Sequence, residues 1–96
     1  MTRDEMIRTL SAHRDELASF AVRRIAIFGS IARGEERGDS DADVLVEFSA
    51  PVGLFEFVRL QRYLQQLLGR TVDLATPEAL RPEMRARILQ EAVYAA

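Results

Sequence analysis

Apolar positions recur near the helical period from the start of the chain, at Met6, Ile7, Leu10, Leu17 and Phe20, behind a T-x-x-E pair formed by Thr2 and Glu5. This predicts one helix over residues 1–20 opened by a capping box. The pattern then tightens into a β-branched and aromatic run, Val22 to Phe28, that stops at Gly29-Ser30 and predicts a strand. Ala42 to Phe48 predicts a second strand, bounded by the 34–40 loop and by Ser49-Ala50-Pro51. Leu54, Phe57, Val58, Leu60, Leu64, Leu67 and Leu68 restore helical spacing, and Gly69 stands where a C-terminal cap belongs. Thr71 to Ala75 predicts a third strand. Thr76-Pro77 then opens a helical segment that Pro82 restarts and that runs to about Ala92. The order predicts an α/β (α+β) architecture: a short mixed sheet, helices on one face and a site on the open face. A single domain over residues 1–96 is expected, because 96 residues accommodate one core.

Alternation along the strands sorts the acidic residues. Asp41 and Asp43 fall on one face of the second strand, while Ala42, Val44, Val46 and Phe48 fall on the other, which must be the buried one. Asp73 lies between Val72 and Leu74, so the same parity sends it to the open face. If the second and third strands are neighbours, three carboxylates converge. Such a cluster repels itself unless a divalent cation neutralises it, and Mg²⁺ with a polyphosphate suits hard oxygen donors. An isolated D-x-D also occurs on strands where it only meets water, so the pair alone does not decide.

The Gly29-Ser30 turn adds weight. A strand ending in Gly and turning into a helix offers free N–H groups and a hydroxyl to a phosphate, although Ser30 is equally suited to cap the short helix 31–34. Arg33 is placed either to meet phosphate charge or to pair with Glu35 or Glu36. His13, alone on its helix, reads as a packing or solvated residue rather than a ligand. Tyr63 and Tyr94 read as packing residues.

Composition narrows the setting. The absence of cysteine excludes disulfides and thiolate metal sites. MTRDEMIRTL carries no apolar leader core and no long apolar span follows, so a cytoplasmic protein without membrane contact is expected. The formal net charge of −2 provides no general field for nucleic acid, so direct binding of DNA or RNA is not expected, although the thirteen arginines could form a local patch. A domain of this size buries only roughly 60–70% of its unfolded surface, leaving a face for a ligand or partner.

Gly29-Ser30, ten intervening residues and then Asp41-x-Asp43 resembles the G-S-x10-D-x-D signature of the nucleotidyltransferase superfamily that includes DNA polymerase β. The finer pattern G-S-x-A-R-G-E, S-D-x-D and a later V-D-L resembles its minimal members, the antitoxins paired with HEPN-domain toxins. The resemblance implies the small nucleotidyltransferase fold. It also implies that Asp41, Asp43 and Asp73 ligate Mg²⁺, as two ions, and act in catalysis, with Gly29, Ser30 and Arg33 holding ATP. The implied reaction moves AMP to a tyrosine of a HEPN ribonuclease toxin within a hetero-oligomer. Neutralisation by occlusion alone, and a small-molecule nucleotidyltransferase completed by a second subunit, are the alternatives.

Overall fold

The capping box forms as the Thr2/Glu5 spacing predicts in the computed structural model, which describes residues 1–35, 38 and 40–95. Glu5 N donates to Thr2 Oγ1 at 3.2 Å and Thr2 N donates to Glu5 Oε1 at 2.8 Å, so two donors lacking helical acceptors are satisfied. The first helix is shorter than its apolar pattern suggests. α1 spans Arg3–Ala12 and α2 spans Arg14–Ser19, with a break at His13. There the backbone N–H donates three residues back to Leu10 O at 3.2 Å, while the imidazole Nδ1 lies 2.8 Å from Thr9 O, the carbonyl that a continuous helix would use. A side chain competing for a backbone carbonyl thus interrupts the ladder, which hydrophobic spacing cannot reveal. Ala21 turns the chain out of α2 at φ 63°, a left-handed conformation unusual for a residue with a Cβ.

β1 (Val22–Phe28) and β2 (Ala42–Phe48) have the predicted limits and pair antiparallel, Ile25 opposite Val46 and Ile27 opposite Val44. A register irregularity between Val22 and Arg24 brings both Arg23 and Arg24 to Glu47, at 2.9 and 3.6 Å. Between these strands lies the short helix α3 (Gly29–Ala32). α4 (Leu54–Leu68) ends at Gly69, whose φ of 68° suits a glycine cap, and Gly69 N donates to Gln65 O at 2.9 Å. β3 (Val72–Ala75) pairs parallel with β2, then a 3₁₀ turn (Pro77–Ala79) leads to α5 (Pro82–Glu91) with Pro82 in its first turn. A two-residue strand, β4 (Val93–Tyr94), missing from the sequence reading, pairs antiparallel with β1 at Ala26 and Ile27. It is too short to carry an alternating signature. The mixed sheet has the order β3-β2-β1-β4.

Strand parity sets the layers. Ile25, Ile27, Val44, Val46 and Val72 turn to the main core, where Met6 and Leu10 of α1, Leu17 of α2, Ile31 of α3 and Leu60, Leu64 and Leu68 of α4 cover them. The opposite face carries Asp43 and Asp73 but is not bare. Ala26 and Leu45 are fully buried on it outside the main cluster, and α5 contributes the buried Ile88. The edge strand β3 is held by α4: Gln61 Nε2 donates to Val72 O at 2.9 Å and Val72 N donates to Gln65 Oε1 at 3.2 Å. Among the described residues no helix is long and apolar enough to cross a membrane.

Leu64→Ala, in a position with no exposed surface, is expected to cost about 2–5 kcal/mol in urea unfolding. Phe55→Ala, at a side chain 84% exposed, is expected to stay within about 0.5 kcal/mol of the parent.

Candidate active site

β2 and β3 bring two of the three predicted carboxylates side by side. Their parallel register sets Ala42 opposite Val72 and Asp43 opposite Asp73, so parity alone would have placed both correctly once the strands were known to be neighbours. Both line a cavity of about 490 Å³ whose other walls include Gly29 and Ser30 from the β1–α3 turn, Arg33 at the C-terminal end of α3, and Leu80, Met84, Ile88 and Glu91 of the C-terminal segment. Asp41 stands apart from this lining. It precedes β2 rather than belonging to it and is exposed, with Ser40 beside it anchored by Arg70 Nη1, which donates to Ser40 O at 3.0 Å. Its charge still reaches Asp43.

Asp43 feels this crowding. Partial burial pushes its carboxyl above the ordinary value of 3.8, the Asp73 and Asp41 charges push it further, Arg33 offsets part of the rise and Glu91 adds to it. Among the described residues no three carboxylates or imidazoles close around one point, so the acidic set is a neighbourhood rather than a finished cage. Its chemistry nevertheless fits a divalent cation: the donors are hard carboxylate oxygens, and a positive charge would relieve the repulsion between Asp43 and Asp73.

The turn is shaped for close approach. Gly29 has φ 74°, and a Cβ there would run into the Asp43 carboxylate, lying 3.0 Å from Cγ and 3.2 Å from Cβ of Asp43. Only glycine lets the end of β1 sit against this acid. The helix begins two residues earlier than the expected 31–34: Phe28 is its N-cap and no side chain caps it, so Ser30 lies inside α3 rather than capping it. Arg3 holds the other end of α3, donating through Nη1 to Ala32 O at 2.9 Å.

Arg33 is already engaged. Its Nε donates to Glu35 Oε1 at 3.3 Å, and Nη1 approaches Glu91 Oε2 at 3.1 Å and Oε1 at 3.3 Å. The pairing with Glu35 is one of the two offered by the sequence; Glu36 lies outside the described residues. Glu91 is a cavity-lining position with no counterpart among the expected site residues. Its Oε1 also accepts from Gly29 N at 3.0 Å. Met84, Ile88 and Glu91 recur at i, i+4 and i+7 and all line the cavity, and that stripe was the available signal. Arg81 and Arg87 join them. The two tyrosines are packed as expected, Tyr63 against Phe20 with centroids 5.1 Å apart and Tyr94 beneath Arg24 at 4.0 Å. A larger hollow of about 890 Å³ lies at the far end of β2, around Phe48, residues 50–54 and Phe57, and includes none of these acids.

The mixed four-stranded sheet thus places paired acids beside a Gly-Ser turn. The profile of the nucleotidyltransferase domain matches residues 9–95, and the chain belongs to that family of enzymes. Over 95 residues it is 42% identical to the protein adenylyltransferase MntA of Thermococcus cleftensis, covering 98% of this chain and 96% of that protein. A solved structure described as a minimal nucleotidyltransferase superposes with a TM-score of 0.82 at 36% identity, covering 97% of this chain and 95% of the other. A chain from a crystal structure of a toxin–antitoxin with AMP-PNP superposes with a TM-score of 0.72 over all of this chain and 73% of the other; at 20% identity that likeness is one of fold.

Because Asp43 holds its proton to higher pH in the folded protein than in the unfolded chain, ionising it costs stability as pH rises through and above the ordinary carboxylate range. Asp43→Asn is therefore expected to raise Tm at pH 7 in chelator and to flatten the fall in Tm between acid and neutral pH. Thermal unfolding with and without Mg²⁺ checks this, and the added ion is expected to stabilise the parent but not the variant.

Proposed function

We propose that this chain is a Mg²⁺-dependent adenylyltransferase that moves AMP from ATP to a tyrosine hydroxyl of a partner HEPN-domain toxin and so acts as an antitoxin. The observation that carries the reading is the register pair Asp43–Asp73 on the wall of the cavity that also holds the Gly29 turn. The G-S-x10-D-x-D spacing supports the reaction class, and the Thermococcus relative, named a protein adenylyltransferase, supports a protein acceptor. The proposed acceptor is presented by the partner toxin in a hetero-oligomer.

In this reading the N–H groups of the β1–α3 turn and the Ser30 hydroxyl orient the triphosphate, and Arg33 offers its fork to phosphate oxygens. Asp41, Asp43 and Asp73 would hold Mg²⁺. Bound there, the metal would neutralise triphosphate charge and help align the attacking and leaving oxygens. Asp73, at the edge of the sheet, accepts the proton of the acceptor hydroxyl as its oxygen bonds to the α-phosphorus and pyrophosphate leaves. The desolvated wall around Asp43 strengthens each of these charge interactions. A cytoplasmic setting, where ATP and Mg²⁺ are abundant, suits the proposed chemistry.

Incubation with the HEPN partner, ATP and Mg²⁺ is expected to add adenylyl groups to the partner by intact mass. Asp43→Asn and Asp73→Asn are expected to slow that addition about 10²–10⁴-fold while the two proteins still associate. Full neutralisation of the toxin by an unreactive variant would instead assign the chain to occlusion.

A further inference from the structure

We infer that Glu91 is an internal occupant of the phosphate cradle, a carboxylate that must be displaced for nucleotide to bind and that thereby sets nucleotide affinity. The inference rests on the proposed assignment of the Gly29 turn and Arg33 to phosphate. Two donors converge on this side chain: Gly29 N at 3.0 Å from Oε1, and Arg33 Nη1 at 3.1 and 3.3 Å from its two oxygens. One backbone N–H and one guanidinium are the partners a phosphate oxygen takes, and a carboxylate oxygen is their closest protein counterpart. Glu91 therefore holds what the triphosphate would hold.

A purely structural ion pair accounts for less of this arrangement. The Arg33 side chain is 42% exposed, and ion pairs at that exposure contribute little to stability. Glu91 itself is only 17% exposed and turned into the cavity, and its charge adds to the repulsion on Asp43. A negative charge beside Asp43 and Asp73 opposes any polyanion that enters and offsets part of the attraction of Arg33, Arg81 and Arg87, which line the same cavity. Its position is fixed from behind. Glu91 is the last residue of α5, and two residues on Val93 pairs with Ile27 of β1, close to the turn it blocks. Rotation of the side chain alone would release the Gly29 N–H and pass Arg33 from Glu91 to phosphate. A single phosphate competes poorly with such an occupant, whereas a triphosphate brings further contacts, so the device also favours polyphosphates.

The test is calorimetric titration of Mg²⁺-ATP and of Mg²⁺-tripolyphosphate into the full chain and into Glu91→Gln, with adenosine as the phosphate-free control and thermal unfolding to follow the fold. Glutamine keeps the shape and removes the charge. Both phosphates are expected to bind on the order of ten-fold more tightly to the variant, with adenosine affinity unchanged. Glu91→Ala carries the same expectation should the first variant unfold. Unchanged or weaker phosphate binding by a folded variant overturns the role given to Glu91. Failure of the underlying site looks different: neither protein binds either phosphate, or Arg33→Ala leaves the parent's affinity untouched, and then the cradle and its occupant fall together.

Discussion

Two carboxylates held opposite one another on adjacent parallel strands repel, and much of this fold is arranged around tolerating that contact. Asp43 and Asp73 share a register position, Asp43 is half-buried, and its carboxyl is displaced upward by burial first and by its acidic neighbours second. A domain optimised for stability alone would replace one of them. Keeping both stores an electrostatic cost that a bound cation would relieve, an exchange of stability for activity of the kind found at functional sites.

The surrounding contacts read as supports for that geometry. Gln61 and Gln65, one helical turn apart on α4, satisfy the carbonyl and the N–H of Val72 and so fix the edge strand one residue before Asp73. Gly29 brings the end of β1 against Asp43 where any side chain would collide. Arg3 and Arg70 reach across the sequence to hold Ala32 and Ser40, the ends of the segments leading out of the turn and into β2. α5 closes the second face, burying Ile88 and lending Glu91 to the turn. Long-range polar contacts of this kind bind loops to a core that hydrophobic burial has already built.

Much of this was legible in the chain. β1 and β2 were readable to the residue because β-branched runs are bounded by turn residues, and α4 because seven apolar positions keep the helical period up to a capping glycine. Parity placed Asp43 and Asp73 on one face. It carried less far for Asp41, since alternation holds only inside a strand and Asp41 lies just before β2. Other features have no local signal. The break at His13 depends on an imidazole reaching Thr9 O, the corner at Ala21 uses a left-handed residue that is not glycine, and β4 is two residues long. Glu91 was hidden for another reason: its partners are 62 and 58 residues away, and only the folded helix brings it to the turn.

The central claim is that the Asp43–Asp73 pair and the Gly29 turn form one metal-and-triphosphate site. The most direct measurement is a crystal structure with Mn²⁺ and a non-hydrolysable ATP analogue, using anomalous scattering to locate the ion. The expected result is an anomalous peak bound by Asp43 and Asp73, with the phosphates on the Gly29 turn. An ion held elsewhere, or a nucleotide seated in the larger hollow beside Phe48 and Phe57, would contradict it.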